Sequence, residues 1–305
     1  MKKLLENLLN DCRHYTADGL LASYIPELSK VDRNDFGISV ANGAKELSFA
    51  GDHDKKFTMQ SVAKPFILLL ALMDSGEERV HDLVGVESTG KPFDAFNYSD
   101  LALKRDHINP MINTGAIALC TLIKGETYKD RFDRLLDLMK KVSGNESLEV
   151  DEAVFRSETE TGNKNRALTY MLKAYGMIED DAEEVLYCYF RACSIRMTAD
   201  DLAKMARVLA FRGKDPVSGE QIIRPEYARY INAVLMTCGM YDGSGEFAVK
   251  VGIPAKSGVG GGIMAVVPGR MGIGLYSPAL DSKGNSIAGI KALEKLSREL
   301  DLSIY

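Results

Sequence analysis

The 305-residue sequence lacks several features that would have assigned it early. No CxxC pair occurs, and the five cysteines (Cys12, Cys120, Cys188, Cys193 and Cys238) are odd in number and scattered. That excludes a disulfide framework and fits reduced thiols in a reducing compartment. Its histidines, His14, His53, His81 and His107, show no HExxH and no ligand spacing, so neither a metal nor a cofactor is expected. There is no basic stripe, and the formal net charge is -5, so nucleic acid is not an expected partner. The apolar run "FILLLALM" has eight residues, far short of the roughly twenty that span a bilayer. At the N-terminus, Glu6, Asn7, Asn10 and Asp11 interrupt the leucines too soon for an export signal. A cytoplasmic protein without a membrane segment is expected. No internal repeat, low-complexity tract or Pro/Gly/Ser-rich linker divides the chain.

What is present is ample apolar material, 46% of residues, arranged in three textures. Leu4, Leu5, Leu8 and Leu9 mark one face of an N-terminal helix. "DFGISVANG" and "ELSFAGD" then alternate like an antiparallel strand pair near residues 36 to 51. From Ser61 to about Phe247, helical periodicity dominates. Phe132, Leu135, Leu136 and Met139 recur at helical spacing before Gly144, and Thr198 with Asp201 forms a capping box. "AVFRSETETGNKNRALTYMLKAYG" reads as two helical pieces around a polar loop. From about residue 248, "FAVKVGIPAKSG", "GGIMAVVPG" and "RMGIGLYSP" read as three strands. A last helix carries Ile287, Ile290, Leu293, Leu296 and Leu300. The fold class expected is α/β (α+β): an antiparallel sheet built from both termini, with a large helical insertion. One domain spans 1–305, with an α/β lobe at about 1–60 and 248–305, a helical lobe at about 61–247, and a ligand cleft between them.

Within "KFTMQSVAKPFILLLAL", Ser61 and Lys64 stand three apart and share one helix face. Pro65 belongs in a helix's first turn, which leaves Ser61 at or near the N-terminus. There the free N–H groups and the dipole stabilise developing negative charge. A buried, neutral lysine could take the serine's proton. The competing reading is a capping serine and a snorkelling lysine. At ordinary frequencies about one SxxK arises by chance in such a chain. A second, Ser88 to Lys91, encloses Gly90 and precedes Pro92, and so reads as loop. Lys256, Ser257 and Gly258 end a strand, and this triplet with SxxK is the pairing found in serine β-lactamases and penicillin-binding proteins. Ala255 stands where a phosphate loop needs glycine, and no GxSxG elbow occurs.

From "YIPEL" to its end, the chain resembles the serine-dependent glutaminases, a β-lactamase-like family. "QSVAKPF", "NPMINTGAI", "SETETGNKNRA", "YDGSGEFAVKVGIPAKSGVGGGIMAVVPG" and "GNSIAGI" resemble that family's blocks, in order. Ser23, Thr114, the "NK" before Asn165, and Pro65 depart from its pattern without removing a catalytic group. The resemblance implies hydrolysis of L-glutamine to L-glutamate and ammonia. It implies Ser61 as nucleophile, Lys64 as base and Tyr241 as a proton donor to ammonia. It further implies an oxyanion hole from the N–H groups of Ser61 and Val259. Tyr24, Asn113, Glu158, Asn165 and Tyr189 would hold the amino-acid end, and the protein would be a homo-oligomer, dimer or tetramer. By residue type, Glu158 suits an ammonium, but Glu160 lies two away; Tyr187 or Phe190 could face the core where Tyr189 does not; Asn165 could cap a helix. A penicillin-recognising hydrolase and a non-catalytic amino-acid sensor are the rival readings.

Overall fold

The computed structural model describes residues 1–88 and 108–305. Lys91, of the second SxxK spacing, and His107 lie outside the described residues. Helix α1 (Lys2–Cys12) buries Leu5, Leu8 and Leu9, with Leu4 half-buried. Strands β1 (Gly37–Ala41) and β2 (Ser48–Gly51) pair antiparallel, as the alternation predicts. The short β3 (Phe57–Thr58) runs into a 3-10 turn, Gln60–Ala63, and then α2 (Lys64–Leu83). The middle of the chain supplies α3 (Asn113–Leu119), α4 (Tyr128–Ser143), β4 (Glu149–Val150), α5 (Glu152–Thr161) and α6 (Asn163–Ala174). It continues with α7 (Ala182–Cys193), β5 (Ile195–Met197), α8 (Ala199–Ala210), α9 (Pro225–Cys238) and α10 (Ser244–Lys250). Strands β6 (Ala255–Ser257), β7 (Gly262–Val267) and β8 (Met271–Tyr276) and helix α11 (Ile287–Leu300) complete it.

The main sheet has the order β2-β1-β8-β7-β6, and every neighbouring pair in it is antiparallel. It is built from the two ends of the chain, as expected. Side chains alternate faces along each strand. Ile263, Ala265, Ile273 and Leu275 join Ile38 and Val40 on one face, against Leu5 and Leu8 of α1 and Leu293 and Leu296 of α11. Met264, Val266 and Tyr276 join the larger core on the other face. There α8 lies directly on β8: a Cβ at Gly274 would stand 2.0 Å from the Ala199 carbonyl oxygen. With both faces covered, β7 and β8 are buried along their whole length.

Three expectations need correction. Residues Phe247 to Lys250 are not strand; they belong to α10, and only Ala255–Ser257 of that segment pairs in the sheet. The polar run after Phe155 is not a loop either. α5 and α6 meet at Gly162, and Asp151 caps α5 by accepting from the Ala153 and Val154 N–H groups. A second sheet, β3-β5-β4, was not anticipated from strands of two or three residues. It matters because β3 sets the start of the Ser61 turn, where the Met59 N–H donates to Ile195 O at 2.9 Å. The capping box at Thr198 and Asp201 is present, and Gly144 ends α4 in the left-handed conformation.

Candidate active site

Ser61 lies in the buried 3-10 turn that feeds α2, and Lys64 is the first residue of that helix. Pro65 sits at the helix start, where its missing N–H costs nothing. Lys64 is fully buried rather than snorkelling. Its Nζ donates to Asn113 Oδ1 at 2.6 Å and to Met111 O at 3.2 Å. Asn113, at the head of α3, is the hub of a polar network. Its Oδ1 also accepts from the Tyr189 hydroxyl at 3.1 Å, and its Nδ2 donates to Asn165 Oδ1 at 2.9 Å. Asn165 is therefore not a cap; it is inside α6, and Gly162 occupies the cap position. Tyr189 turns inward while Tyr187 packs edge-on against half-buried Phe155.

Glu158 is buried and Glu160 is exposed, so the fold selects between them. Burial raises the Glu158 carboxyl to about 7, against a hydrogen bond from Gln60 and the charge of Lys64. Gln60, which sequence reasoning passed over, thus links the Ser61 turn to the acidic side chain; nothing in its sequence context signals this. Tyr189 feels burial first, which raises its phenol well above the ordinary range, and then the neighbouring Cys193, Glu158 and Tyr24. Tyr24 is 55% exposed and stands at the rim. The segment after it is anchored, because Ile25 and Leu28 pack with Tyr241 and Val259.

Tyr241 opens the 3-10 turn Tyr241–Gly243 with φ +53, and Gln60 has φ +50. Such values cost a non-glycine residue on the order of 1–3 kcal/mol and cluster at functional sites. Burial raises the Tyr241 phenol, and a hydrogen bond with Ser61 works the other way. The glycine segment after Lys256 presses on the Ser61 turn. A Cβ at Gly258 would lie 2.6 Å from Met59 O, and one at Gly260 would lie 2.4 Å from Thr58 O. Val259 lies between these two glycines and packs with Ile25, Leu28 and Tyr241. Lys256 is buried beside Tyr241 and belongs to the same cluster; the triplet flagged it, but no motif spacing showed its contacts. Among the described residues, no group of three or more His, Cys, Asp or Glu could hold a metal ion. No helix among them is long and apolar enough to cross a membrane. All five cysteines are free and buried.

The arrangement brings together a hydroxyl, a buried amine, a phenol and a close-packed glycine backbone beside a carboxylate and an amide–phenol network. Chemically, a hydroxyl beside a buried amine can be acylated, and a buried carboxylate can pair with an ammonium. A family model described as Glutaminase matches residues 19–305. A glutaminase of Clostridium tetani (strain Massachusetts / E88) is 50% identical over 305 residues, covering all of both chains. A structure titled as a probable glutaminase from Bacillus subtilis, complexed with 6-diazo-5-oxo-L-norleucine, superposes with a TM-score of 0.91 at 38% identity, covering 100% of this chain and 96% of that one. A Bacillus subtilis glutaminase in covalent complex with 5-oxo-L-norleucine gives a TM-score of 0.91 at 37% identity, with 100% and 99% covered. Fold and site together define an amidohydrolase on a β-lactamase-like scaffold. More particularly, the chain belongs to the glutaminase family, whose reaction is the hydrolysis of glutamine.

Proposed function

We propose that this glutaminase works through Ser61 and a glutamyl-enzyme ester. Glu158 pairs with the substrate ammonium. Asn113, Asn165, Tyr189 and Tyr24 take its carboxylate, leaving the side-chain amide at Ser61. Lys64 accepts the Ser61 proton as Oγ attacks the amide carbon. The N–H groups of Ser61 and Val259 receive the oxyanion, an interaction worth about 3–4 kcal/mol per donor in comparable sites. Tyr241 passes a proton to the departing ammonia, and water then cleaves the ester to release glutamate. The observation carrying this reading is the convergence on Asn113 of Lys64, one helical turn from Ser61, with Tyr189 and Asn165.

The test is to treat the protein with 6-diazo-5-oxo-L-norleucine and map the adduct by mass spectrometry. Modification is expected on Ser61, and modification elsewhere would overturn the assignment. Ser61→Ala should lower ammonia release by about four orders of magnitude or more. The same reading includes residence in the cytoplasm and assembly as a homodimer or homotetramer. Light scattering that gave a mass near the 33.5 kDa of one chain would remove the assembly, and recovery in an extracellular fraction would remove the compartment.

A further inference from the structure

Lys256 is fully buried, yet its amine contacts none of the groups assigned above to the substrate's two ends in the hydrogen bonds it makes to Gly239 O at 3.0 Å and Ser257 O at 2.6 Å. Its Nζ also lies over the Tyr241 ring, 4.2 Å from the centroid, so that the amine packs against the ring face. Gly239 follows α9 and stands two residues before Tyr241. Its backbone is pressed onto β6: a Cβ there would lie 1.8 Å from Ala255 O, and the Ser257 N–H donates to Gly239 O at 3.2 Å. The Gly239 carbonyl is thus held by an amide and an amine of the same strand. The turn beyond it keeps Tyr241 at a positive φ, a conformation that persists only where surroundings impose it. Ser244 and Asn285 hold the Met240 backbone from the other side, at 3.0 and 3.2 Å. Lys64 and Cys238 are the other titratable groups acting on Lys256 among the described residues. Burial first, then the neighbouring Lys64 amine, pushes its amine well below the ordinary lysine range. An amine kept at such a buried site carries a desolvation cost that its hydrogen bonds to the two carbonyls offset.

We propose that Lys256 is a positioning residue that clamps the Gly239–Tyr241 turn to β6 and holds the Tyr241 ring so that its hydroxyl stays at Ser61. The inference rests on the roles of Ser61 and Tyr241 given under the proposed function. It makes the triplet's lysine part of the proton-delivery apparatus without contact to substrate.

The experiment is a double-mutant cycle on glutamine turnover: wild type, Lys256→Met, Tyr241→Phe and the pair, with Ser61→Ala alongside. Methionine keeps the apolar stem and removes the nitrogen. Lys256→Met should lower kcat by about 100-fold, the loss expected from misplacing a reacting group by about 1 Å. KM should stay within about threefold, because no substrate contact is lost. In the Tyr241→Phe background the same change should cost less than about threefold, since residues acting as one unit are non-additive. A raised KM with unchanged kcat would make Lys256 a substrate ligand and overturn the clamp. An unchanged kcat, or a full additive loss in the double variant, would overturn it as well. Should Lys256→Met fail to fold by near-ultraviolet circular dichroism, Lys256→Gln and Lys256→Arg enter the same cycle with the same criteria. Turnover by Ser61→Ala would instead sink the serine reading, so the two failures are separable.

Discussion

The carboxyl of Glu158 is where a single residue's environment shapes behaviour most visibly. Burial lifts it to about 7, so before substrate binds it changes charge near neutrality. Below that pH it is protonated and cannot pair with an ammonium; above it, it can. The KM for glutamine should therefore rise as pH falls through about 7, while kcat follows other groups. Glu158→Gln should raise KM at pH 8 by roughly thirtyfold, from a charge-assisted hydrogen bond worth about 2 kcal/mol. It should also flatten the dependence of KM on pH between about 6 and 8. Initial-rate measurements across that range decide it; an unchanged KM removes Glu158 from the site. At this scale the sequence was only partly legible. The spacing of Ser61 and Lys64 put both on one helix face, but spacing alone left the capping and snorkelling reading open. By residue type and period, without the family resemblance, Glu158 could not be told from Glu160, nor Tyr189 from Tyr187, because which face a helix buries depends on its neighbours. Gln60 went unnoticed because its link to Glu158 joins elements far apart in sequence.

Among the elements, legibility follows how local the cause is. Thr198 and Asp201 cap α8 through bonds three residues apart, Asp201 N–H to Thr198 Oγ1 at 3.2 Å and Thr198 N–H to Asp201 Oδ2 at 3.0 Å, and the pattern was readable. The segment Ser244–Lys250 was not, because seven residues hold too few turns to show a period, and its Phe, Ala and Val imitate a strand. Its helical state is decided by Phe247 packing into the core shared with Leu293 and Leu296. The contact of α8 with β8 yields a prediction at this scale. Gly274→Ala would drive a methyl to 2.0 Å from Ala199 O and 2.7 Å from Ala203 N, both backbone atoms. Overpacking of this kind costs about 1–3 kcal/mol or more, so the urea midpoint should fall clearly. Gly245→Ala, in α10 with nothing within 4 Å, should instead hold or gain by about 0.5–1 kcal/mol. Equal midpoints for the two variants would show that the helix is not seated on the strand as described.

For the molecule as a whole, the site is a liability to stability that the rest of the fold sustains. Burial raises the Glu158 carboxyl to about 7 in the folded protein, against an ordinary 4.5, so the folded protein binds the proton more tightly than the unfolded chain. Its stabilising influence is complete below about 4.5 and is lost as pH rises through 7, at an upper bound of about 3 kcal/mol. Without glutamine, Glu158→Gln should therefore melt above the wild type at pH 8, and the gap should close near pH 4.5. Calorimetry that found the same gap at both values would place the carboxyl in a solvated setting. Composition and hydrophobic period by themselves determined that the chain folds as helices around a sheet made from its two ends, since these depend on side-chain alternation along each segment. The order of motif blocks identified the family. Packing decided that Glu158 rather than Glu160, and Tyr189 rather than Tyr187, is buried, and that the glycines after Lys256 press on the turn holding Ser61. Those outcomes depend on distances between segments that share no local pattern, and only packing brings them within hydrogen-bonding range.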